Sequence, residues 1–286
     1  MDLRERTIKT NGINLHAMEA GPEDGSMILF LHGFPEFWYA WRKQINFFAE
    51  NGYLVVAPDQ RGYNLSDKPD GIESYTLDVL IQDVKGIIDY YKRDQTYLVG
   101  HDWGASVAWW MALKYPEHIE RMVIMNVPHP DVMITNLKNN PKQVRNSWYI
   151  IFFQLPDYPE KLASLDNFSW LINLLESSSR HHAFLTEDLE KYRNAFAQPG
   201  AISAMINWYR ATMQIKNQKP KDPMIYVPTL ILWGVKDVAL VPEMADQSME
   251  YCKQGRLIKF EDATHWIQHE ESEKVNSLIN EHFKQN

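Results

Sequence analysis

The stretch Leu98-Val99-Gly100-His101-Asp102-Trp103-Gly104-Ala105 is the most informative part of this chain. Residues 96–99 predict a buried strand, and residues 103–114 predict a helix that stops before Pro116. Between them lies a G-x-D-x-G turn, whose two glycines keep side chains away from a tightly packed bend. Such a turn holds its central residue in a strained conformation and lifts that side chain off the sheet. Asp102 is therefore a candidate functional residue, although an aspartate is also a common structural N-cap.

Strands and helices alternate on both sides of this turn. Strands are predicted at 7–10, 13–19, 27–31, 53–57, 96–99, 121–125, 227–232 and 257–260, and helices at 37–50, 77–91, 103–114, 242–251 and 272–283. Residues 131–222 contain no strong strand and predict a helical insertion. This order predicts an α/β fold, with a mostly parallel sheet, helices on both faces and a helical cap inserted after the fourth parallel-type strand. The predicted domains are a core, residues 1–130 and 223–286, and a cap, residues 131–222.

The composition favours a folded, soluble protein. The chain has 286 residues, of which 45% are hydrophobic and 13% aromatic, and a formal net charge of −8. No run of basic residues indicates nucleic-acid binding, and no apolar run is long enough to span a membrane. Cys252 is the single cysteine and is expected to be a packing thiol, which suits a reducing compartment. Because Met1 to Thr10 is charged and lacks an apolar segment, we expect no signal peptide and a cytoplasmic protein. The sequence leaves both a monomer and a homodimer open.

An aspartate at the turn restricts the chemistry. A carboxylate is already ionised at neutral pH, but its attack on an ester would give a labile anhydride. It is better suited to displacement at a saturated carbon, which forms an alkyl-enzyme ester. The substrate must then carry a leaving group on carbon, either an epoxide oxygen or a halide.

Two further loops supply a base and an acid. His265 lies in Asp262-Ala263-Thr264-His265-Trp266, directly after a predicted strand, and Asp237 follows the strand that ends at Leu232. The order Asp102, Asp237, His265 matches the nucleophile, acid and histidine order of a catalytic triad on this kind of sheet. His265 would activate water to hydrolyse the ester, and Asp237 would orient His265. The remaining histidines considered are expected to be structural or at the surface: His32, His101, His129, His181 and His182.

The loop His32-Gly33-Phe34-Pro35-Glu36 follows another predicted strand. The backbone N–H groups of Phe34 and Trp103 are expected to point together and to stabilise the oxyanion of the tetrahedral intermediate. The Phe34-Pro35 bond is a candidate cis peptide.

Five stretches together resemble α/β-hydrolases of the soluble epoxide hydrolase family. They are HGFPEFWYAWR at 32–42, APDQRGYNLSDKP at 57–69, VGHDWGA at 99–105, LILWGVKD at 230–237 and DATHWIQHE at 262–270. The resemblance implies the α/β-hydrolase fold and an enzyme acting on ether bonds, which converts an epoxide and water to a vicinal diol. Family members often have glycine where this chain has Asn64, a residue that tolerates left-handed backbone.

The resemblance also implies two acidic tyrosines in the cap. The segments at 148–154 and 207–210 resemble those that carry them, which gives Tyr149 and Tyr209. An alkoxide is a poorer leaving group than a halide, so a proton donor is needed as the ring opens. Trp148, Phe152 and Trp266 are expected to line an apolar substrate pocket. We expect a small apolar epoxide and water as the partners, with no metal and no cofactor.

Two other functions share these features. A haloalkane or haloacetate dehalogenase uses the same aspartate nucleophile. The haloalkane enzymes usually hold the halide with a second Trp or an Asn, and the position that can supply the Asn is Phe34 here. The haloacetate enzymes place arginines just after the nucleophile, where this chain has Trp103 and Ser106. In these dehalogenases the acid of the triad often follows the strand before the cap, at the position of Asn126 here. A non-catalytic receptor of the same fold would have little use for a complete set of catalytic residues.

Overall fold

Eight strands form one sheet, and the computed structural model describes residues 2–214 and 220–285 around it. The strands are β1 Arg4–Thr10, β2 Ile13–Ala20, β3 Met27–Leu31, β4 Leu54–Pro58, β5 Thr96–His101, β6 Ile119–Met125, β7 Thr229–Gly234 and β8 Gly255–Phe260. Their spatial order is β1-β2-β4-β3-β5-β6-β7-β8. The β1–β2 and β2–β4 pairs are antiparallel, and all other neighbours are parallel. The predicted mostly parallel sheet is confirmed.

Helices cover both faces of this sheet. The α-helices of the described residues are α1 Arg42–Glu50, α2 Leu77–Tyr90, α3 Trp103–Lys114, α4 Pro130–Asn139, α5 Pro141–Asn146, α6 Trp148–Phe152, α7 Tyr158–Ser164, α8 Ser169–Ser178, α9 Thr186–Phe196, α10 Ala201–Gln214, α11 Glu243–Met249, α12 Ile267–Glu270 and α13 Ser272–Phe283. The helix predicted from Phe37 starts as a 3-10 turn at Trp38–Trp41. None of these helices is both long and apolar enough to cross a membrane.

Adjacent residues of the central strands pack on opposite faces. In β5, Leu98 joins the apolar cluster that includes α2 and α3, whereas Val99 joins the cluster that includes α1 and α13. In β6, Val123 and Ile124 divide in the same way. Because side chains alternate along a strand, a strand covered on both faces reads as a continuous apolar run. This explains why the central strands were recognisable from sequence.

The first strand begins earlier than predicted. β1 starts at Arg4 rather than at Thr7, and its side chains alternate between partly exposed and exposed up to Thr7. Arg4 and Arg6 both bind Glu19 of β2, with N–O distances of 2.6 and 3.1 Å. An edge strand next to solvent has no continuous apolar run, so its charged half resembled a tail in the sequence.

Helices α4 to α10 form one continuous insertion between β6 and β7. We call Pro130–Gln214 the inserted helices. They follow the fourth parallel strand, as the sequence predicted. Residues of α4, α6 and α10 line a cavity together with Asp102 and α3, so the insertion lies at the carboxyl edge of the sheet. Met1, residues 215–219 of the predicted cap and Asn286 lie outside the described residues.

Candidate active site

Five adjacent strands carry the site at their carboxyl ends. In spatial order the strands are β3, β5, β6, β7 and β8. The residues that follow them are Phe34, Asp102, Asn126, Asp237 and His265. Parallel strands end at one edge of a sheet, so residues far apart in sequence are brought together there.

The turn after β5 holds Asp102 in a conformation that few non-glycine residues adopt. Its φ is 51° and its ψ is −124°. A Cβ atom added to Gly104 would lie 2.0 Å from the carbonyl oxygen of Leu31, and one added to Gly100 would lie 2.5 Å from that of Gly104. These short distances leave no room for a side chain at either position, as predicted for the two glycines of the turn. The surrounding backbone therefore fixes the strained residue in place.

The two carboxylate oxygens of Asp102 face different partners. Oδ1 accepts a hydrogen bond from the backbone N–H of Phe34 at 2.7 Å. Oδ2 lies 3.5 Å from Nε2 of His265. The Phe34-Pro35 peptide is cis, as predicted. Trp103, the other predicted oxyanion residue, is the first residue of α3, and its ring centroid lies 5.0 Å from that of Tyr209.

His265 is held on its other side by Asp237. Nδ1 of His265 lies 2.6 Å from Oδ2 of Asp237. The same carboxylate accepts hydrogen bonds from Nδ2 of Asn126 at 2.8 Å and from the backbone N–H groups of Ala239 and Leu240. Burial raises the pKa of Asp237, but the charge of His265 and these hydrogen bonds outweigh it and lower the pKa. Asp237 is therefore an ionised partner for a charged imidazole.

Asn126 was missed as a member of the site. Its Oδ1 accepts from the backbone N–H of Gly234 at 2.9 Å while its Nδ2 donates to Asp237. Asn126 thus ties the end of β6 to the loop after β7. The signal in the sequence was its position directly after a buried strand, next to the strand that carries the acid.

His265 is surrounded by negative charge. Burial lowers its pKa, but Asp237 and Asp102 together raise the pKa of His265 to about 10. The imidazole of the free protein is therefore protonated at neutral pH and lies between two carboxylates. Among the described residues, no three His, Cys, Asp or Glu side chains come together as possible metal ligands.

A cavity of about 460 Å³ opens above Asp102. Its walls come from α3, from the loop after β6 and from α4, α6 and α10. The lining is Leu77, Asp102, Trp103, Ser106, Trp109, Trp110, Val127, Pro128, Pro130, Met133, Ile134, Leu137, Tyr149, Ile150, Tyr209, Thr212, Met213 and Leu240. Among the lining residues that the structure describes, Asp102 is the one carboxylate, and none is a lysine or an arginine. Such a cavity suits a neutral, apolar molecule.

Two tyrosines of the inserted helices face this cavity. Tyr149 of α6 and Tyr209 of α10 lie side by side, with ring centroids 5.9 Å apart. Burial raises the pKa of both phenols well above the usual value, and the nearby charge of Asp102 raises it further. Both hydroxyls therefore stay protonated and can act as hydrogen-bond donors.

Three aromatic residues that were predicted to line the substrate pocket are not among the residues that line this cavity. Trp148 is 57% exposed on the outside of α6. Phe152 packs against Tyr158 and Trp170, and Trp266 donates its indole N–H to Ser178 at 2.9 Å. In the short helix α6, the side chains at 148 and 152 share a face that does not include Tyr149, a feature set by tertiary packing.

A buried network around Glu36 was also missed. His269 and the hydroxyl of Tyr192 reach its Oε1 at 2.7 and 2.8 Å, and His101 and Gln268 reach its Oε2 at 3.2 and 3.1 Å. Burial raises the pKa of Glu36, but His269 and His101 outweigh it and lower the pKa. Glu36 is thus a buried carboxylate that joins the loop after β3 to α12 and to α9. His101, expected to be a scaffold residue, belongs to this network.

The left-handed residue expected in the second motif is also present. Asn64 has a φ of 40°, and its side chain donates to Oδ2 of Asp59 at 2.8 Å. Asn64 therefore adopts the left-handed backbone that was expected at this position, because family members often have glycine there.

Comparisons with known proteins agree with this architecture. The model of the family described as alpha/beta hydrolase fold matches residues 27–272. The chain is 44% identical to the AB hydrolase superfamily protein YfhM of Bacillus subtilis (strain 168), over 97% of this chain and 96% of that protein. It is 42% identical to epoxide hydrolase 4 of Mus musculus, over 95% of this chain and 77% of that protein.

The fold is also similar to that of a solved structure. The crystal structure of Bacillus megaterium epoxide hydrolase in complex with an inhibitor matches with a TM-score of 0.90 and 33% identity, covering 98% of this chain and 100% of that one. Together with the fold, these similarities show that the chain belongs to the α/β-hydrolase fold family and, within it, to the epoxide hydrolases.

Proposed function

We propose that this protein is an epoxide hydrolase that opens its substrate through a covalent ester on Asp102. One observation carries the proposal. The carboxylate at the strained turn is held by an N–H group on one oxygen and faces His265 with the other, below a cavity with two protonated tyrosines. The similarity of the chain to proteins named epoxide hydrolases supports the same reaction.

The first step forms the ester. Oδ2 of Asp102 attacks one carbon of the epoxide, and the bond between that carbon and the ring oxygen breaks. Tyr149 and Tyr209 hydrogen-bond the ring oxygen, and one phenol gives it a proton as negative charge develops. The product of this step is a hydroxyalkyl ester of Asp102. The high pKa of both phenols, caused by burial and by Asp102, keeps the donors protonated until the ring opens.

The second step hydrolyses the ester. Alkylation removes the negative charge of Asp102, and His265 loses one of the two carboxylates that raise its pKa. His265 then returns its proton to the phenolate and accepts one from water, which attacks Cγ of Asp102. The negative charge that develops on Oδ1 lies against the N–H of Phe34, with Trp103 as the proposed second donor. Collapse of this intermediate breaks the bond between Cγ of Asp102 and the substrate oxygen. The leaving alkoxide takes up the proton of the new carboxyl group, so the diol is released and Asp102 is again a carboxylate that retains one oxygen of the water.

The inserted helices are proposed to act as a cap, with the division at residues 131–222 that the sequence indicates. They supply both tyrosines and much of the apolar wall, so a bound epoxide is shielded from bulk water. A small, neutral, apolar epoxide is the proposed substrate. The single cysteine suits a reducing compartment such as the cytoplasm.

The proposal is tested by diol formation from styrene oxide and 1,2-epoxyhexane, with the Asp102→Ala protein as the control. Diol from the natural protein alone supports the assignment. A single turnover with excess enzyme in ¹⁸O-water then tests the ester. The first diol should contain no ¹⁸O, because its new oxygen comes from Asp102, and the label should appear in the protein. Label in the first diol would show direct attack by water and overturn the covalent step.

The alternative functions predict different results in the same assays. A dehalogenase would release halide from 1-bromohexane and leave the epoxides intact. A receptor would bind one of the epoxides without turnover. Two protonated tyrosines above Asp102 are needed for an alkoxide leaving group and not for a halide, which is why epoxide opening is favoured.

A further inference from the structure

Ser106 occupies a special position next to the nucleophile. It lies in the first turn of α3, which begins directly after Asp102, and lines the same cavity as Asp102. Its side chain is half-buried. The same lining includes the side chains of Trp109, Trp110 and Leu77. The hydroxyl group of Ser106 thus faces the cavity that contains Asp102, in a wall that is otherwise mostly apolar.

The hydroxyl of Ser106 makes no hydrogen bond to any residue that the structure describes. Several other helical serines of this chain donate to the carbonyl four residues earlier, as Ser164, Ser177 and Ser248 do. For Ser106 that carbonyl belongs to Asp102, and it already accepts the backbone N–H groups of Ala105 at 2.9 Å and Ser106 at 3.0 Å. The usual internal partner of a helical serine is therefore already occupied.

The other hydroxyl groups of the cavity already have a hydrogen-bond partner or a proposed role in the reaction. The hydroxyl of Thr212 donates to the backbone carbonyl of Trp208 at 3.0 Å. Tyr149 and Tyr209 are needed at the ring oxygen in the proposed reaction. Ser106 is left as a hydroxyl that can serve a different part of the substrate. A hydroxyl facing an apolar ligand without a partner costs free energy, whereas one facing an oxygen atom gains a hydrogen bond.

We propose that Ser106 donates a hydrogen bond to an ether oxygen close to the epoxide ring, and so selects glycidyl ethers over hydrocarbon epoxides. This inference rests on the proposed epoxide hydrolase function. The side chains of Asp102 and Ser106 line one cavity, with Ser106 in the first helical turn after the turn that carries Asp102. When an epoxide carbon approaches Asp102, an oxygen attached one carbon beyond the ring comes within reach of Ser106. The residue is thus a specificity determinant for the substituent and takes no part in bond breaking.

The test compares two substrates that differ in one atom. Benzyl glycidyl ether has an oxygen where 5-phenyl-1,2-epoxypentane has a methylene, and the two have nearly the same size. Because the ether also alters the intrinsic reactivity of the ring, the quantity to compare is the ratio of their kcat/KM values in each protein. Ser106→Ala should lower the ether-to-hydrocarbon ratio about fivefold, which is roughly 1 kcal/mol for one neutral hydrogen bond. The change in the ratio should come from the ether, because only the ether can accept a hydrogen bond from Ser106.

Thr212→Val is the matched control. It removes a hydroxyl from the same cavity, but one that is bonded to Trp208, so the ratio should stay at the value of the natural protein. An unchanged ratio in Ser106→Ala, with both substrates turned over, overturns the role of Ser106 and leaves the proposed reaction intact. An equal fall in the ratio for both variants also overturns it. Failure of the natural protein to hydrolyse either epoxide overturns the proposed function and this inference together.

Discussion

At the scale of single residues, Tyr149 and Tyr209 are the residues that, in the proposed reaction, separate epoxide opening from halide displacement. Tyr149→Phe and Tyr209→Phe should each slow the formation of the ester by about 10²-fold, the usual contribution of a general acid. Their rings line the cavity, so the substitution removes the proton donor and keeps the shape. The measurement is the pre-steady-state rate of ester formation, followed by rapid quench and intact mass.

Tyr158→Phe is the control for this pair. Tyr158 is 59% exposed on α7 and lies outside the cavity lining, so its loss should leave the rate of ester formation unchanged. Variants of Tyr149 and Tyr209 that form the ester at the normal rate would contradict the proposed acid role.

His265 connects the site to the stability of the fold. Its pKa is raised to about 10 in the folded protein, whereas a free histidine has a pKa of about 6.5. The folded state therefore holds an extra proton between these values. Its stabilising effect is complete below about pH 6.5 and is lost as the pH rises through about 10.

The corresponding prediction concerns the pH dependence of unfolding. Between pH 6 and pH 10, the free energy of unfolding of the natural protein should fall by a few kcal/mol more than that of His265→Gln, which cannot titrate. Urea unfolding at several pH values measures this difference. Parallel pH profiles for the two proteins would show that Asp102 and Asp237 do not raise the pKa of His265 in this way.

At the scale of elements, the turn between β5 and α3 depends on the absence of side chains. Gly104→Ala should destabilise the fold by about 3 kcal/mol or more, because the new Cβ would lie 2.0 Å from a backbone oxygen of β3 that has no room to move. Gly52→Ala is the control, since nothing lies within 4 Å of its Cβ position and only its φ of 87° is strained. The control should cost about 1 kcal/mol. Equal losses in urea unfolding would contradict the packing argument.

Most of the elements could be predicted because burial leaves a simple pattern. The central strands are covered on both faces and appear as short apolar runs, and the three predicted triad residues lie at or shortly after the carboxyl ends of three of them. The side chains of the inserted helices that line the cavity were harder to predict. An amphipathic pattern locates a helix but does not show which of its residues face the cavity. For that reason Trp148 and Phe152 were expected in a cavity that they do not line, whereas Tyr149 between them reaches it.

Other parts of the site could not be predicted because they depend on contacts between distant segments. Glu36, His269 and Tyr192 are polar residues in three separate regions, and only the fold brings them to hydrogen-bonding distance. Asn126 gave a weak signal through its position after β6. The unoccupied hydroxyl of Ser106 could be found only from the hydrogen bonds of its neighbours.

At the scale of the whole molecule, polar contacts join the inserted helices to the sheet. Tyr192 and Asp188 of α9 bind Glu36 and Arg42, at 2.8 and 3.0 Å. Tyr192→Phe should leave the buried carboxylate short of one donor and lower the hydrogen-exchange protection of α9 about tenfold, a cost of roughly 1.4 kcal/mol. Hydrogen exchange followed by mass spectrometry measures this, with peptides of α3 as an internal reference.

Tyr90→Phe is the control for this change. Tyr90 is 46% exposed on α2, and the loss of its hydroxyl should leave the exchange of α9 unaltered. Equal protection of α9 in Tyr192→Phe and in the natural protein would mean that apolar packing alone holds this helix on the sheet.

The position of the insertion also fixes the order in which the strands can pair while the chain is synthesised on the ribosome. Strands β1 to β6 can pair among themselves as soon as they emerge, but Ile124 must wait for Ile231. At about 5–20 residues per second, the open edge of β6 remains unpaired for roughly 5–20 s while the inserted helices are synthesised. Asp102 emerges before this interval, and Asp237 and His265 emerge after it. The nascent chain therefore carries the proposed nucleophile long before the proposed base, and its open sheet edge needs protection from aggregation during that interval.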